Sequence, residues 1–345
     1  MKIAIAMPCG SIRDSFIPDP AVFAPIADAK EVIWNPLSRQ WNGDELAEAL
    51  SDAEVVVTGW GNTKIDAAVL SRAKRLSVIA HTGGSVAGLL DSAAYEHEIL
   101  VLSGNDLYAR SVAESVIAYS LAMLRDIPRY TEELRRDGWS VPGWYNEGLL
   151  GQRVGLVGFG AVARHTARLL AAFGCTVLVC MADFLTEADA AKYGVRKASA
   201  EEVFSTCKIV SLHTALTPET YHSIDRRLLS LLRPDSIFVN TARGAIVDEA
   251  ALAEMLAAGR FRAVLDVYET EPLSKGSPLR NIGRETRRPS PLILMPHMGG
   301  PTIDRRPLVT AALVEAIRAY RDGDTAANCV KELQITREMA ERMTQ

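Results

Sequence analysis

Short apolar runs alternate with amphipathic stretches along the whole chain, and the alternation strengthens once, near Gly151. In the first third, Met1–Met7, Ala53–Thr58 (AEVVVT) and Leu76–Ala80 predict strands, while Asp44–Ser51 and Ala67–Arg72 predict helices. Arg110–Arg125 (RSVAESVIAYSLAMLR) repeats apolar residues at i, i+3 and i+4 and predicts one long helix, with Pro128 just beyond it. From Gly151 onward strands are expected at Arg153–Val157, Thr176–Cys180, Lys208–Leu212, Ser236–Asn240, Arg262–Leu265 and Leu292–Met295. Helices fall between them at Ala161–Phe173, Glu187–Tyr193, Arg226–Leu232 and Glu249–Ala258, and Ile303–Tyr320 is helical again. The stretch Arg280–Ser290 (RNIGRETRRPS) is polar and basic and reads as a surface loop. Strands that alternate with helices are what a doubly wound parallel sheet requires, so the expected fold class is α/β.

Composition narrows the function classes. The chain has 345 residues, 48% hydrophobic and 23% charged, enough for two ordinary domains with buried cores. The formal net charge of -4, without a concentrated basic face, argues against nucleic acid as a partner. Cys9, Cys175, Cys180, Cys207 and Cys329 are odd in number, scattered and free of C-x-x-C pairs. They suit buried thiols in a reducing compartment, with neither disulfides nor a metal site. The N-terminus lacks a signal-peptide h-region, and no window approaches the ~18 apolar residues of a membrane span. A cytoplasmic protein with no membrane partner is therefore expected.

Two features carry chemistry. The first is Gly158-Phe159-Gly160-Ala161-Val162-Ala163, set between the strand RVGLV and the helix VARHTARLLAAF. In that context the first glycine permits a tight turn and the second a close approach of backbone to a pyrophosphate. The third small residue lets helix pack on strand, and the helix N-terminus offers N–H groups to the anion. The acid that grips the ribose of a dinucleotide usually stands roughly 20 positions on. That position holds Met181, and the nearest acid is Asp183. No Arg or Lys at Cys180–Phe184 would receive a 2′-phosphate, so NAD is the expected cofactor, with NADP left open.

The second feature is a set of three strand ends. SIFVNTA leads to Arg243, RAVLDVYETE to Glu271 and PLILMP to His297. In a parallel sheet the ligand crevice lies beyond the carboxyl ends of the strands, where these side chains could converge. Hydride addition to a ketone leaves an alkoxide, and histidine is suited to give it a proton. A paired carboxylate fixes the ring, and an arginine fork can hold a substrate carboxylate and polarise the carbonyl. Singly, each residue reads more blandly: a capping Arg, a loop Glu, a structural His. Jointly, behind a dinucleotide loop, they point to catalysis.

On these residues the chain resembles the D-isomer-specific 2-hydroxyacid dehydrogenases, which include phosphoglycerate, glycerate/glyoxylate and D-lactate dehydrogenases. The matching segments are VGLVGFGAVAR (154–164), SLHTALTPET (211–220), NTARGAIVDEAAL (240–252), LDVYETEP (265–272) and PHMGG (296–300), in the family's order, with SVAES (111–115) before them. The resemblance implies two Rossmann-like doubly wound parallel-sheet domains with a cleft between them. One, discontinuous, would be the substrate (catalytic) domain, 1–105 plus 301–345, and the other the dinucleotide-binding domain, 106–300. It implies Arg243 on the substrate carboxylate, His297 as acid/base with Glu271 as its partner, and Asp266 near the nicotinamide carboxamide. Thr241, Ala242, Gly299, Gly300 and the turn His213-Thr214-Ala215 would line the cofactor. The loop Gly83-Gly84-Ser85 would offer backbone N–H groups to a substrate carboxylate, its bland reading being a plain glycine turn. Homodimerisation through the cofactor domain is implied, with Trp139, Trp144 and Tyr145 as contributors or as core.

Departures bear on the substrate. Phosphoglycerate dehydrogenases carry arginines on the loop after the second first-domain strand, whereas here it reads Thr58-Gly59-Trp60-Gly61-Asn62-Thr63. An aromatic and two glycines suit a small unphosphorylated acid, with Trp60 lining its pocket or simply packed at the surface. Ala215 replaces a common Pro, and the chain's length leaves no room for the regulatory domain some phosphoglycerate dehydrogenases add. Formate dehydrogenase pairs its histidine with glutamine, so Glu271 argues against it. The reading expected is hydride transfer between NAD(H) and a small 2-hydroxy or 2-oxo acid. The alternative is a nicotinamide-sensing, corepressor-like binding protein with little turnover.

Overall fold

A computed structural model describes residues 1–139, 146–283 and 291–344. Trp144, Tyr145 and positions 284–290 of the basic stretch lie outside the described residues; its start, Pro278–Asn281, forms a 3-10 turn. The chain divides into two compact units, unit 1 of Met1–Tyr108 with Pro301–Gln345 and unit 2 of Ala109–Gly300.

Unit 1 holds five parallel strands, β1 (Ile3–Ile5), β2 (Val32–Trp34), β3 (Val55–Thr58), β4 (Val78–His81) and β5 (Leu100–Ser103), in the order β2-β1-β3-β4-β5. Alternation along these strands feeds two cores. Ile3, Ile5, Val55, Val57, Val78 and Ala80 pack on one face with the helix Arg306–Arg321, while Ala4, Val56, Ile79 and Val101 pack on the other with Gly43–Leu50. Burial on both faces is why the strands read as continuous apolar runs.

Unit 2 holds seven parallel strands: β6 (Arg153–Val157), β7 (Thr176–Cys180), β8 (Val195–Lys197), β9 (Ile209–Leu212), β10 (Ile237–Asn240), β11 (Arg262–Leu265) and β12 (Leu292–Leu294). Their order is β12-β11-β10-β9-β6-β7-β8. The chain leaves β6 in one direction through β7 and β8, then returns to its other side with β9. The loops after β6 and β9 therefore part and open a crevice at the carboxyl end of the sheet.

The sequence reading omits β2, β5 and β8. Each of the three stands at the edge of its sheet. The long helix begins earlier than expected, at Asn105, and runs to Leu124; Pro128 opens a second helix, Ile127–Asp137, where its missing N–H costs nothing. Among the described residues no helix is long and apolar enough to cross a membrane.

Candidate active site

The glycine loop of unit 2 is shaped by two constraints. Gly158 has φ +88°, and a Cβ there would lie 2.9 Å from the backbone N of Thr214, so only glycine fits. Its N–H donates to Cys180 O at 2.8 Å, which pins the turn to the end of β7. Gly160 then opens the helix Ala161–Ala172 without any side-chain cap. Helices at Glu187, Ala200, Arg226 and Glu249 are capped by Thr186, Ser199, Asp225 and Asp248. At Ala161, Val162 and Ala163 the first N–H groups of the helix instead remain open to an anion, with the helix dipole behind them. Ala163 is buried, as helix-on-strand packing demands.

Polar atoms gather beside this loop. Both ring nitrogens of His213, after β9, are buried without a hydrogen-bond partner, as is Thr241 Oγ1 after β10. Burial pushes the His213 imidazole down to about 3, so the ring is neutral. Orphaned buried polar atoms are rare in a finished fold, and three on two neighbouring strand ends fit a ligand of mixed polarity such as a dinucleotide. Thr214, Ala215 and Ala242 stand on the same two strand exits. Asp183 does not join them: three residues beyond β7, its carboxylate is exposed and faces Lys197 Nζ at 3.7 Å. Met181, at the strand end itself, is held at φ 51° and partly exposed.

The three catalytic-type residues leave adjacent strands β10, β11 and β12. Buried Asn240 shapes the first exit, its amide donating to Arg243 O at 3.1 Å and its carbonyl accepting Ala242 N–H at 3.0 Å. Gly244 comes next, and a Cβ on it would lie 1.8 Å from the Tyr268 carbonyl carbon. Backbone contact thus ties the Arg243 loop to the Tyr268–Glu271 loop. The Arg243 guanidinium donates to Ala242 O at 2.7 Å and pairs with no carboxylate among the described residues.

Glu271 is fixed at one oxygen by the Tyr268 N–H, 3.0 Å away, and its other oxygen lies 2.6 Å from His297 Nδ1. An ionised carboxylate only accepts, so Nδ1 carries the proton of this bond and Nε2 is the ring nitrogen left for chemistry. His297 itself sits at φ 55°, a backbone conformation that side chains rarely adopt. It is held there by Asp266, buried after β11, whose two oxygens accept the N–H groups of Met298 (2.8 Å) and Gly299 (2.7 Å). A Cβ on Gly299 would fall 2.7 Å from the same carboxylate, and Ser115 donates to Gly299 O at 3.3 Å. Gly300 follows at the end of the unit. Asp266 therefore positions the histidine segment, a role the sequence did not reveal. The Glu271–His297 pair lines an open cavity of about 620 Å³ with Pro272, Leu294 and Arg280. A larger cavity of about 910 Å³, near Ala257, Phe261 and Ile282, contains no such pair.

In unit 1 the loop Gly83-Gly84-Ser85 follows β4. Ser103 Oγ reaches both carbonyls, Gly83 O at 3.0 Å and Gly84 O at 2.7 Å. The N–H groups of Gly83, Gly84 and Ser85 donate to nothing among the described residues. Behind the loop, buried His81 bonds Thr58 Oγ1 through Nδ1 at 2.9 Å, and burial lowers its pKa to about 4. A Cβ on Gly83 would meet its Nε2 at 2.2 Å. Ser103 and His81 carried no signal in the sequence, being ordinary strand-end residues there. Trp60 is 43% exposed, with its ring edge-on to Phe16 and Tyr108.

Comparison with known proteins agrees with this chemistry. Residues 117–299 match the family model described as "D-isomer specific 2-hydroxyacid dehydrogenase, NAD binding domain". A D-3-phosphoglycerate dehydrogenase of Mycobacterium tuberculosis is 30% identical over 329 residues, 94% of this chain but 59% of that protein. The chain thus spans under two thirds of that relative's length. A hydroxypyruvate reductase of Thermotoga maritima is 32% identical over 279 residues, 79% of this chain and 87% of that protein. A D-lactate dehydrogenase from Aquifex aeolicus, solved with NAD and lactic acid, superposes with a TM-score of 0.72 over 96% of this chain and 98% of its own. At 21% identity that likeness speaks for the fold alone.

Proposed function

The chain belongs to the D-isomer specific 2-hydroxyacid dehydrogenase family, and on that premise we propose that it moves a hydride between NAD(H) and a small, unphosphorylated D-2-hydroxy or 2-oxo acid of the glyoxylate or hydroxypyruvate kind. The observation that carries the reading is the His297–Glu271 pair at 2.6 Å, on strand exits next to that of Arg243, at the carboxyl end of the sheet that also bears the glycine loop. We assign residues 1–105 with 301–345 as the substrate domain and 106–300 as the dinucleotide-binding domain.

When bound, the reduced nicotinamide supplies the hydride. The protein supplies the rest. Arg243 grips the substrate carboxylate and draws electron density from the 2-carbonyl oxygen. His297 Nε2–H donates its proton to that oxygen as it becomes an alkoxide, and Glu271 stabilises the imidazolium and holds its orientation. In the oxidative direction His297 starts neutral and takes the hydroxyl proton. The N–H groups of Gly83, Gly84 and Ser85 bind the carboxylate, and Trp60 lines the pocket. Gly158 to Ala163 cradle the pyrophosphate, with His213 to Ala215, Thr241, Ala242, Asp266, Gly299 and Gly300 along the dinucleotide. The unpaired cysteines suit a cytoplasmic enzyme. Exposed Ile127, Leu134 and Trp139 suit a homodimer.

The test is loss of NADH or NADPH absorbance with glyoxylate, hydroxypyruvate, pyruvate, phenylpyruvate and 3-phosphohydroxypyruvate. Turnover of an unphosphorylated acid with NADH supports the proposal. Tight NADH binding with no turnover across the panel would replace it with the sensor reading.

A further inference from the structure

The loop that bears Trp60 has no arginine of its own, yet the fold brings one to it. Arg306, 246 positions along the chain, opens the helix Arg306–Arg321, and its guanidinium stands 5.3 Å from the Trp60 ring centre and 5.6 Å from that of Phe16. One donor bonds Ser15 Oγ at 3.1 Å and another Pro301 O at 3.4 Å. No carboxylate pairs with it among the described residues, which is unusual for a half-buried arginine between two aromatic rings. Its remaining donors have no protein acceptor among the described residues.

The surroundings of this cation are those of a ligand site. Trp60 stands on the loop after β3, and in the order β2-β1-β3-β4-β5 the chain reverses direction between β1 and β3. Ligands of open α/β sheets bind at such a reversal. Gly59, before Trp60, lies close to the Met7 side chain, a Cβ there falling 2.9 Å from Met7 Cε, and Gln40 donates to Trp60 O at 2.9 Å, which ties down the loop backbone. Contact continues to the Gly83–Ser85 loop: Trp60 and Tyr108 rings are 6.3 Å apart, and a Cβ on Gly84 would touch the Tyr108 ring at 3.3 Å. The Tyr108 hydroxyl is buried without a partner of good geometry. Burial pushes its phenol up, and the charge of Arg306 opposes that shift, so the two lie within electrostatic reach.

We infer that Arg306 with Trp60 is the specificity-determining pair of the substrate pocket, selecting 2-oxo acids whose C3 carries an oxygen acceptor, hydroxyl or carboxylate. This rests on the dehydrogenase reading given above. With the substrate carboxylate on the Gly83–Ser85 loop, the substituent on C3 is the part of a small acid that reaches toward Trp60. The indole covers the C3 carbon, and the guanidinium donates to the oxygen beyond it. Plain alkyl substituents leave that charge desolvated and unanswered, which is the asymmetry by which a polar site rejects an analogue lacking the group.

The experiment compares kcat/KM for glyoxylate, pyruvate, hydroxypyruvate, a 2-oxo dicarboxylic acid and 3-phosphohydroxypyruvate in wild type, Arg306→Met, Arg306→Lys, Trp60→Leu and Ser15→Ala. Dissociation constants of the same acids are measured by calorimetry, which needs no turnover. Arg306→Met should lower kcat/KM for hydroxypyruvate or the dicarboxylic acid by about 10- to 100-fold while glyoxylate, which has no C3, changes by less than about threefold. Arg306→Lys should restore part of the loss, and Ser15→Ala, which removes only the structural bond, should leave the ranking intact. If phosphohydroxypyruvate is the best wild-type substrate and loses most in Arg306→Met, Arg306 stands as the selector and the unphosphorylated assignment falls. Equal losses for glyoxylate and hydroxypyruvate, or an unchanged ranking in a variant that folds, overturn the inference. Wild-type turnover with such a flat ranking leaves the dehydrogenase reading standing. Absence of both turnover and acid binding in wild type removes the reading and the inference together.

Discussion

Each unit ends a strand in a glycine loop backed by a neutral histidine, yet the two loops present their N–H groups by different means. After β6, Gly158 turns the chain at positive φ and an uncapped twelve-residue helix follows, so the donors come from a helix end with its dipole. After β4 no such helix begins at once; Ser103 holds two carbonyls, and three N–H groups have no acceptor among the described residues. The first arrangement suits a diphosphate that spans a turn of helix. The second suits a compact carboxylate. Sequence reveals the first, because strand, glycines and helix are contiguous, and conceals the second, because its pin lies 18 residues beyond the loop.

The largest effect that could break this comparison is at Gly158. Gly158→Val strains the left-handed backbone and drives side-chain atoms into Thr214, so NADH affinity should fall by roughly 100-fold or more, read by fluorescence titration. Acid binding measured without cofactor should hardly move; a matching loss there would mean the two loops are not separate devices. Ser103→Ala comes next. It frees the Gly84 carbonyl and leaves Gly83 O to the Gly104 N–H alone, and KM for the 2-oxo acid should rise about tenfold with the NADH dissociation constant unchanged. A loop that kept its KM would not be shaped by Ser103.

Met181→Asp restores the strand-end acid and should shift preference toward NADH over NADPH by about tenfold in the ratio of kcat/KM. No shift would place the ribose elsewhere. The smallest effect is on stability. His81 and His213 have folded pKa values near 4 and 3, below the ordinary 6.5, so the unfolded chain binds more protons as pH falls. Stability from keeping these rings neutral is complete above about pH 6.5 and is lost as pH drops through that value toward 4 and then 3. Urea midpoints should fall across this window, and less steeply in His81→Asn; an unchanged slope would deny His81 its part.

The same contrast explains what was legible in the residues alone. Arg243, Glu271 and His297 each close an apolar run, and the parallel sheet puts those ends on the neighbouring strands β10, β11 and β12. The family resemblance put Asp266 near the cofactor; its bonds to Met298 and Gly299 emerge only when β11 and β12 lie side by side. The missing arginine of the Trp60 loop looked like an absence of charge. Arg306 reaches that loop from a distant helix, and no periodicity or spacing encodes a contact between side chains 246 residues apart. Local pattern reports the backbone; the loops of unit 1 around Trp60 and Gly83 are built from tertiary neighbours.

The central claim is that His297, oriented by Glu271, gives the proton that completes hydride transfer. The most direct measurement is single-turnover NADH oxidation with hydroxypyruvate and glyoxylate in wild type, His297→Ala and Glu271→Gln, with the product's handedness determined. The account predicts the D-2-hydroxy acid, a loss of about 10²- to 10⁴-fold in His297→Ala with NADH affinity retained, and a smaller loss in Glu271→Gln. Wild-type rates in His297→Ala, or an L product, would contradict it.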